Sequence, residues 1–186
     1  MKPFWLASVA IALVLIGCAG IRVSQDYDPA TNFGLLDTYD WAAPTQEKTG
    51  DWRIDNPLQD ARIRAAVDRV LTEKGFRPAS DAAPTVRVRY QYMLRRKLES
   101  DASSGGIGFG VGSYGRYGGV AFGTGGSVRE YDEASLILDL VDPATDALLW
   151  RGSGTHRYTE YDDPFKATAA IDQLVEKILA QFPPRK

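Results

Sequence analysis

Residues 85–94, TVRVRYQYML, alternate between apolar and polar side chains, and this period of two predicts a β-strand with one buried face. One face carries Val86, Val88, Tyr90, Tyr92 and Leu94. The other face carries Arg87, Arg89, Gln91 and Met93. Because the apolar face needs a second layer to cover it, the pattern predicts a sheet packed on one side against a core.

Further strands are predicted on both sides of this segment. Residues 128–141 contain alternating side chains of the same kind, and the turn sequence DPATD at 142–146 leads into a strand that begins at Leu148. Two short strands are predicted nearer the start, at residues 21–25 and 38–41. The sheet is therefore expected to hold four to five strands, mostly antiparallel.

Two amphipathic helices are predicted from their caps and their apolar spacing. The first is expected from about residue 57 to 74, because Asn56 can cap it and Gly75 can end it in a left-handed conformation. The second is expected to begin after Asp163 and to end before the prolines at 183–184. The order β-β-α-β-β-β-α predicts an α+β two-layer sandwich with both helices on one face of the sheet.

The N-terminal residues have the features of an export signal. Lys2 precedes an apolar run at 6–16, LASVAIALVLI, which is shorter than the ~20 residues that a membrane span needs. Residues 15–18, LIGC, resemble the lipobox of bacterial lipoproteins, in which cleavage between Gly17 and Cys18 leaves a lipidated cysteine as the first mature residue. Cys18 is the only cysteine, which favours this interpretation over an ordinary secretory signal.

These features predict a signal peptide (1–17), a lipidated N-terminus and tether (18–20) and a single α/β domain (21–184). Each buried methylene of an acyl chain such as palmitate contributes about 0.8 kcal/mol, so two or more chains on Cys18 would hold the protein firmly to a membrane. Ala19 follows in place of the aspartate that typically retains such proteins in the inner membrane. By resemblance to Gram-negative sorting, this implies the periplasmic face of the outer membrane.

Composition limits the chemistry that the chain can perform. The formal net charge is −2, and it becomes −3 without Lys2, which is too small a charge to favour nucleic acid as a partner. A cysteine–histidine metal site is excluded, because lipidation would consume Cys18 and His156 is the only histidine. No cofactor or metal is therefore predicted, and a surface or hydrogen-bonded role is favoured for His156.

Acidic pairs are the remaining candidates for catalysis. They are Asp26 with Asp28, Glu130 with Asp132, and Asp162 with Asp163. Glycoside hydrolysis needs two carboxyl groups held ~5–9 Å apart across a cleft, and proximity in sequence does not supply that arrangement. Turn and cap roles are favoured, so the protein is predicted not to be an enzyme, with an acid-residue hydrolase as a remote alternative.

Three arginines share one face of the predicted central strand. Arg87, Arg89 and Arg95 could form a basic stripe towards lipid phosphate. Glu133 and Asp139 lie on the neighbouring predicted strand with a parity that can set them opposite these arginines. Cross-strand ion pairing is therefore the favoured interpretation.

A glycine-rich segment at 103–127 holds 11 of the chain's 18 glycines. Its aromatic residues are Phe109, Tyr114, Tyr117 and Phe122. Because glycine loses the most backbone entropy on ordering, the segment is predicted to be a loop inserted between strands, mobile when unbound. A phosphate-binding loop is rejected, since no Lys-Ser/Thr and no helix start follow. A hairpin extension is favoured, and contact with a membrane or partner through the four aromatics is the alternative.

Short motifs occur in a fixed order after the lipobox: DYDP at 26–29, TYDW at 38–41, NPL at 56–58, KGF at 74–76, LWRG at 149–152 and FPP at 182–184. Together they resemble bacterial lipoproteins of the domain of unknown function 4136 family, over about residues 21–184. The resemblance implies an envelope-anchored α/β domain without an assigned reaction. No catalytic residue can be carried over from it.

The sequence therefore predicts a periplasm-facing lipoprotein with a non-catalytic binding or scaffolding role in the cell envelope. Its predicted contacts are the membrane, through lipid on Cys18, and another envelope protein. The alternative is a module that binds a small hydrophobic ligand or lipid in a cavity between sheet and helices, lined by Tyr90, Tyr92 and Trp150.

Overall fold

The computed structural model describes residues 20–43, 46, 48–80, 82–100 and 128–184, and for residues 99, 100 and 128 it describes the backbone alone. Several predictions fall outside these residues: the signal peptide, the cleavage and lipidation site at Gly17 and Cys18, and the glycine-rich loop with Phe109, Tyr114, Tyr117 and Phe122. They remain predictions.

The described chain forms six strands and two α-helices. The strands are β1 (Arg22–Tyr27), β2 (Thr38–Trp41), β3 (Arg77–Pro78), β4 (Val86–Ser100), β5 (Val128–Val141) and β6 (Leu148–Arg157). The helices are α1 (Pro57–Glu73) and α2 (Pro164–Leu179), and a 3-10 turn spans Phe33–Leu35. Neither helix is both long enough and apolar enough to cross a bilayer, in the part of the chain that was described.

The strands form one mixed sheet in the order β1-β6-β5-β4-β2-β3. β1 with β6, β6 with β5 and β5 with β4 pair antiparallel, whereas β2 runs parallel to both β4 and β3. The prediction of a mostly antiparallel sheet of four to five strands is therefore wrong. The reason is α1, which follows β2 and carries the chain back across the sheet, so that the strands after it enter in the direction of β2.

Local sequence signals place α1 where they predicted it. The Asn56 side chain accepts a hydrogen bond from the N–H of Leu58 at 2.9 Å, which caps the helix. Gly75 ends it with φ +91°, and the N–H of Phe76 then donates to the carbonyl of Leu71 at 3.0 Å. The prediction of a helix at about 57–74 is confirmed.

Both helices cover the same face of the sheet, as predicted, and they run in the same direction. Arg69 of α1 reaches Asp172 at 3.3 Å and Glu176 at 2.9 Å on α2. The strand side chains buried beneath the helices are Tyr39, Val86, Val88, Tyr90, Tyr92, Ala134, Leu136, Leu138, Leu140 and Trp150. No described element covers the opposite face.

Trp150 occupies the centre of this core, within the LWRG motif. Its ring is fully buried, 5.1 Å from the ring of Phe182, and its Nε1 donates to Gln25 at 3.0 Å. Gly152 leaves room for that ring, since a Cβ there would overlap Trp150 Cη2 and lie 2.6 Å from Ile178 Cγ2. The motif therefore encodes a close packing contact between β6 and α2.

The strands β4 and β5 extend past the rest of the sheet as a two-stranded ribbon. β6 ends at Arg157, opposite Glu133 of β5, while pairing between β4 and β5 continues out to Ser100 and Val128. The predicted strand at 85–94 thus ends six residues too early. Leu98, in the ribbon, follows the same alternation as Val86 and Val88 and lies on the helix-covered side of the strand. Its side chain is exposed there and does not pack against a helix.

Candidate functional site

The open face of the sheet carries a polar cavity of about 810 Å³. It forms because β2 pairs only with Val86 to Val88 of β4, which leaves the edge of β4 uncovered beyond that point. The lining side chains that bear polar groups are Asp40, Trp41, Gln46, Arg87, Arg89, Tyr90, Gln91, Asp139, Asp146 and Arg151. The cavity therefore presents hydrogen-bonding groups of both charge signs.

Ion pairs hold most of the charges in this cavity. Arg151 binds Asp139 through two hydrogen bonds of 2.7 Å, and this contact raises the pKa of the arginine. Arg89 instead reaches Asp146 in the β5–β6 turn at 3.1 Å. Gln91, which lines the same cavity, is exposed.

The predicted positions of the arginines opposite the acidic residues are confirmed, but the acidic residues form their ion pairs with other basic side chains. Arg89 lies opposite Asp139 and Arg95 lies opposite Glu133, as their parity predicted. Asp139, however, pairs with Arg151, and the buried Glu133 takes Arg22 at 3.4 Å and Lys97 at 3.2 Å.

Arg87 differs from its neighbours, because its side chain makes no hydrogen bond or ion pair with another described residue. It is exposed and lines the open-face cavity next to Asp40, its register partner on β2. A guanidinium in this state has all of its donors available for a ligand. It is therefore the cavity residue best placed to bind an anionic or polar group.

The cavity predicted between sheet and helices is not shared by its three expected side chains. Trp150 is enclosed by packed neighbours in the core. The Tyr90 hydroxyl donates to Asp60 at 2.7 Å. Burial is the main cause that raises the pKa of Tyr90, and this hydrogen bond is the second. Tyr92 lines a separate space of about 160 Å³ at one end of the sandwich. No cavity among the described residues is lined by all three.

The acidic pairs considered for hydrolysis have structural contacts. Asp28 accepts from the N–H of Ala30 at 2.9 Å, and Asp163 caps α2 by accepting from the N–H of Phe165 at 2.9 Å. Asp132 binds Arg53 at 2.7 Å. In the described chain no group of three or more metal-ligating side chains occurs.

Perturbed titratable groups among the described residues all keep their ordinary charge state at neutral pH. Burial raises the pKa of the tyrosines at 39, 90, 92 and 158, and hydrogen bonds lower the pKa of the aspartates at 51, 55 and 142. A general acid or base works best with a pKa near the operating pH. These shifts move away from neutrality, so they are the shifts of structural groups.

His156 is half-buried and hydrogen-bonded, as the sequence interpretation favoured. Its Nδ1 lies 2.8 Å from the carbonyl oxygen of Arg157, where a protonated Nδ1 donates. Its Nε2 is buried without a hydrogen-bond partner among the described residues, and His156 is one of the residues that line the 160 Å³ space beside Tyr92.

A second surface feature lies at the end of the sandwich where both helices begin. Eight large hydrophobic side chains are exposed in the described chain, and five of them belong to this end. They are Trp52, Leu58, Leu98, Tyr161 and Phe165, and we call this set the apolar end. Sequence reasoning missed it, because its members come from two loops, two helix starts and the ribbon.

The loop that presents Trp52 is held by a charged clamp. Arg53 binds Asp51 at 2.6 Å and Asp132 of the ribbon at 2.7 Å, and its guanidinium lies 5.6 Å from the ring centre of Tyr158. The clamp ties the loop to β5, and the neighbouring Trp52 is 72% exposed.

These features define an α+β domain whose mixed sheet has one helix-covered face and one open polar face. The model of the family described as "Domain of unknown function (DUF4136)" matches residues 23–184. The chain therefore belongs to this family, as the ordered motifs predicted. No curated protein sequence matches the chain significantly.

Solved structures show a related fold at low sequence identity. A PDZ domain protein from Parabacteroides distasonis ATCC 8503 aligns with a TM-score of 0.54 and 12% identity, over 100% of this chain and 41% of that chain. This chain thus spans well under half of that protein, and the likeness concerns the fold alone.

Two further structures align with TM-scores below 0.5. The PelC dodecamer from Paraburkholderia phytofirmans gives 0.48 at 14% identity, over 89% of this chain and 99% of that chain. A minor lipoprotein from Acinetobacter baumannii gives 0.35 at 12% identity, over 77% and 88%. Likenesses of this size carry no argument about function.

Proposed function

We propose that this protein is a lipid-anchored envelope lipoprotein whose domain binds another envelope component without catalysing a reaction. The observation that carries the binding role is the open polar face of the sheet, with its 810 Å³ cavity and the unpaired guanidinium of Arg87 among the described residues. On a sheet face that no described helix covers, the paired strands hold the side chains in fixed positions where a partner can bind them.

The anchor rests on the N-terminal sequence. Cys18 ends a lipobox-like motif and lies four residues before Arg22, where β1 begins. Lipid on this cysteine would therefore hold the domain directly at a membrane surface. Ala19 at the next position supports the outer membrane, periplasmic face, as the location.

Fatty-acid labelling tests the anchor. Cells that express the protein with an alkyne analogue of palmitate should yield a labelled band, and Cys18→Ser should abolish both the label and fractionation with membranes. Ala19→Asp should keep the label and move the protein from the outer to the inner membrane fraction. A Cys18→Ser protein that still fractionates with membranes would refute the lipid anchor.

Site-specific cross-linking tests the binding face. A photoreactive amino acid at Gln91, in the open-face cavity, should give a discrete cross-linked product in intact cells, and mass spectrometry should identify the partner. The same amino acid at Glu73, exposed on α1, is the matched control. Equal products at both positions, or none at Gln91, would contradict the proposal. Deleting residues 104–126 in parallel tests whether the glycine-rich loop adds to the contact.

A further inference from the structure

Four of the five side chains of the apolar end are more than half exposed. Phe165 is 85% exposed, Trp52 72%, Leu98 68% and Leu58 63%. Leu58 and Phe165 stand in the first turns of the two parallel helices. Trp52 and Tyr161 line one cavity with residues from both of those turns. The exposed apolar groups thus lie at one end of the sandwich, and a concentration of such groups is typical of an interaction surface.

The described chain begins, at Gly20, at this same end. β1 pairs antiparallel with β6, so Arg22 lies opposite Thr155, and Gly20 lines a small cavity with Tyr131 and Arg157 at the end of β6. Cys18 precedes Gly20, the first described residue, by two positions. Two residues span at most about 7 Å, so an acyl group on Cys18 would begin within that distance of Gly20.

We propose that the apolar end docks into the interfacial region of the same bilayer that holds the lipid on Cys18. This inference rests on the proposed lipid anchor and adds the orientation of the domain. Aromatic side chains favour the interfacial region, and apolar groups can enter it by ~5–10 Å. The short tether keeps the end of the sheet where β1 begins next to the membrane.

The orientation explains how the two surfaces divide their roles. The strands point towards the bilayer, so the open polar face stands roughly upright beside it. Arg87 and Gln91 then remain accessible to a partner in the aqueous compartment while Trp52 and Phe165 contact lipid. The opposite end of the sandwich, with Leu35, faces away from the membrane.

Fluorophores attached at single cysteines test the docking. The lipidated chain has no other free thiol, so Phe165→Cys, Trp52→Cys and Leu35→Cys can each be labelled with an environment-sensitive dye. Leu35 is the matched control, because it is 72% exposed like Trp52 but lies at the far end. The proteins are reconstituted into vesicles of phosphatidylethanolamine and phosphatidylglycerol, with and without brominated acyl chains.

Docking predicts a shift of emission to shorter wavelength and a loss of intensity with brominated lipid for labels at 52 and 165, and neither change at 35. A Leu58→Ser, Phe165→Ser background should return the label at 52 towards the behaviour of the label at 35. A dye that inserts by itself would not respond to that background.

Two outcomes overturn the inference, and they are distinguishable. If the protein floats with the vesicles but the labels at 52 and 165 behave like the label at 35, the anchor stands and the docking is wrong. If the protein does not float and the Cys18 thiol itself reacts with the dye, the lipid anchor is wrong and the docking falls with it.

Discussion

Replacing Gly152 with alanine should destabilise the domain, because the added methyl group has no space. The Cβ would overlap the Trp150 ring and lie 2.6 Å from Ile178 Cγ2, and both of these side chains are 0% exposed. Neither neighbour can move towards solvent. The substitution therefore forces the β6–α2 interface apart or pushes the indole off its rotamer.

The expected loss can be bounded. Overpacking a dense core costs about 1–3 kcal/mol. The lower entropy of an unfolded chain with alanine in place of glycine offsets about 0.4–1 kcal/mol of that cost. A net loss of roughly 1–2 kcal/mol corresponds to a fall in Tm of about 2–8 °C for a domain of this size.

Urea denaturation followed by circular dichroism measures this loss. The midpoint for Gly152→Ala should fall at an unchanged slope, whereas Ser153→Ala should change the free energy of unfolding by less than about 0.5 kcal/mol. Ser153 is the matched control, since its side chain lies on the open face and shares only an exposed hydrogen bond with Ser24. Trp150→Phe removes the overlapped ring atoms, so Gly152→Ala should cost less in that background. An unchanged midpoint for Gly152→Ala, or the same cost in both backgrounds, would refute the packing argument.

Two further predictions concern charged groups. Arg53→Met should lower the free energy of unfolding by about 1–3 kcal/mol in urea, because it leaves the partly buried Asp132 unpaired. Arg96→Met, which loses only an exposed pair, should change it by less than about 0.5 kcal/mol, and equal losses would contradict the clamp. The Asp142 carboxylate accepts hydrogen bonds from Thr145, first from its backbone N–H, and these hold its pKa below the ordinary 3.8. A carboxyl group whose pKa is lower in the folded state stabilises the protein at pH values above its unfolded-state pKa. That stabilisation is lost as the pH falls through the folded-state pKa. Urea midpoints from pH 7 to pH 2.5 should therefore fall less steeply for Asp142→Asn, and parallel curves would contradict this assignment.

Much of the local structure follows from residues close together in sequence. Asn56 and Gly75 delimit α1 because a side-chain cap and a left-handed glycine act within one helical turn. The alternation at 86–94 and 128–141 predicts which side chains face the core, since neighbouring residues of a strand point to opposite faces. The same parity predicts that Arg89 lies opposite Asp139.

Local sequence patterns do not predict which of several distant residues will form an ion pair or a strand pairing. Asp139 has arginines on both neighbouring strands within reach, and the bidentate geometry available to Arg151 settles the pairing. The parallel position of β2 depends on the path of α1 over the sheet. The two-residue β3 carries no sequence pattern long enough to show it.

The sequence by itself determined the two helices and the five longer strands in their order, the buried strand face, the family and a lipobox-like motif at Cys18, because each depends on periodicity or on motifs of a few residues. Only the tertiary structure decided that the sheet is mixed and that Trp52, Leu98 and Phe165 lie at the end of the sandwich where β1 begins. The physical reason is that strand order and the direction of each crossover set which distant residues become neighbours. No local pattern of side chains encodes that choice alone.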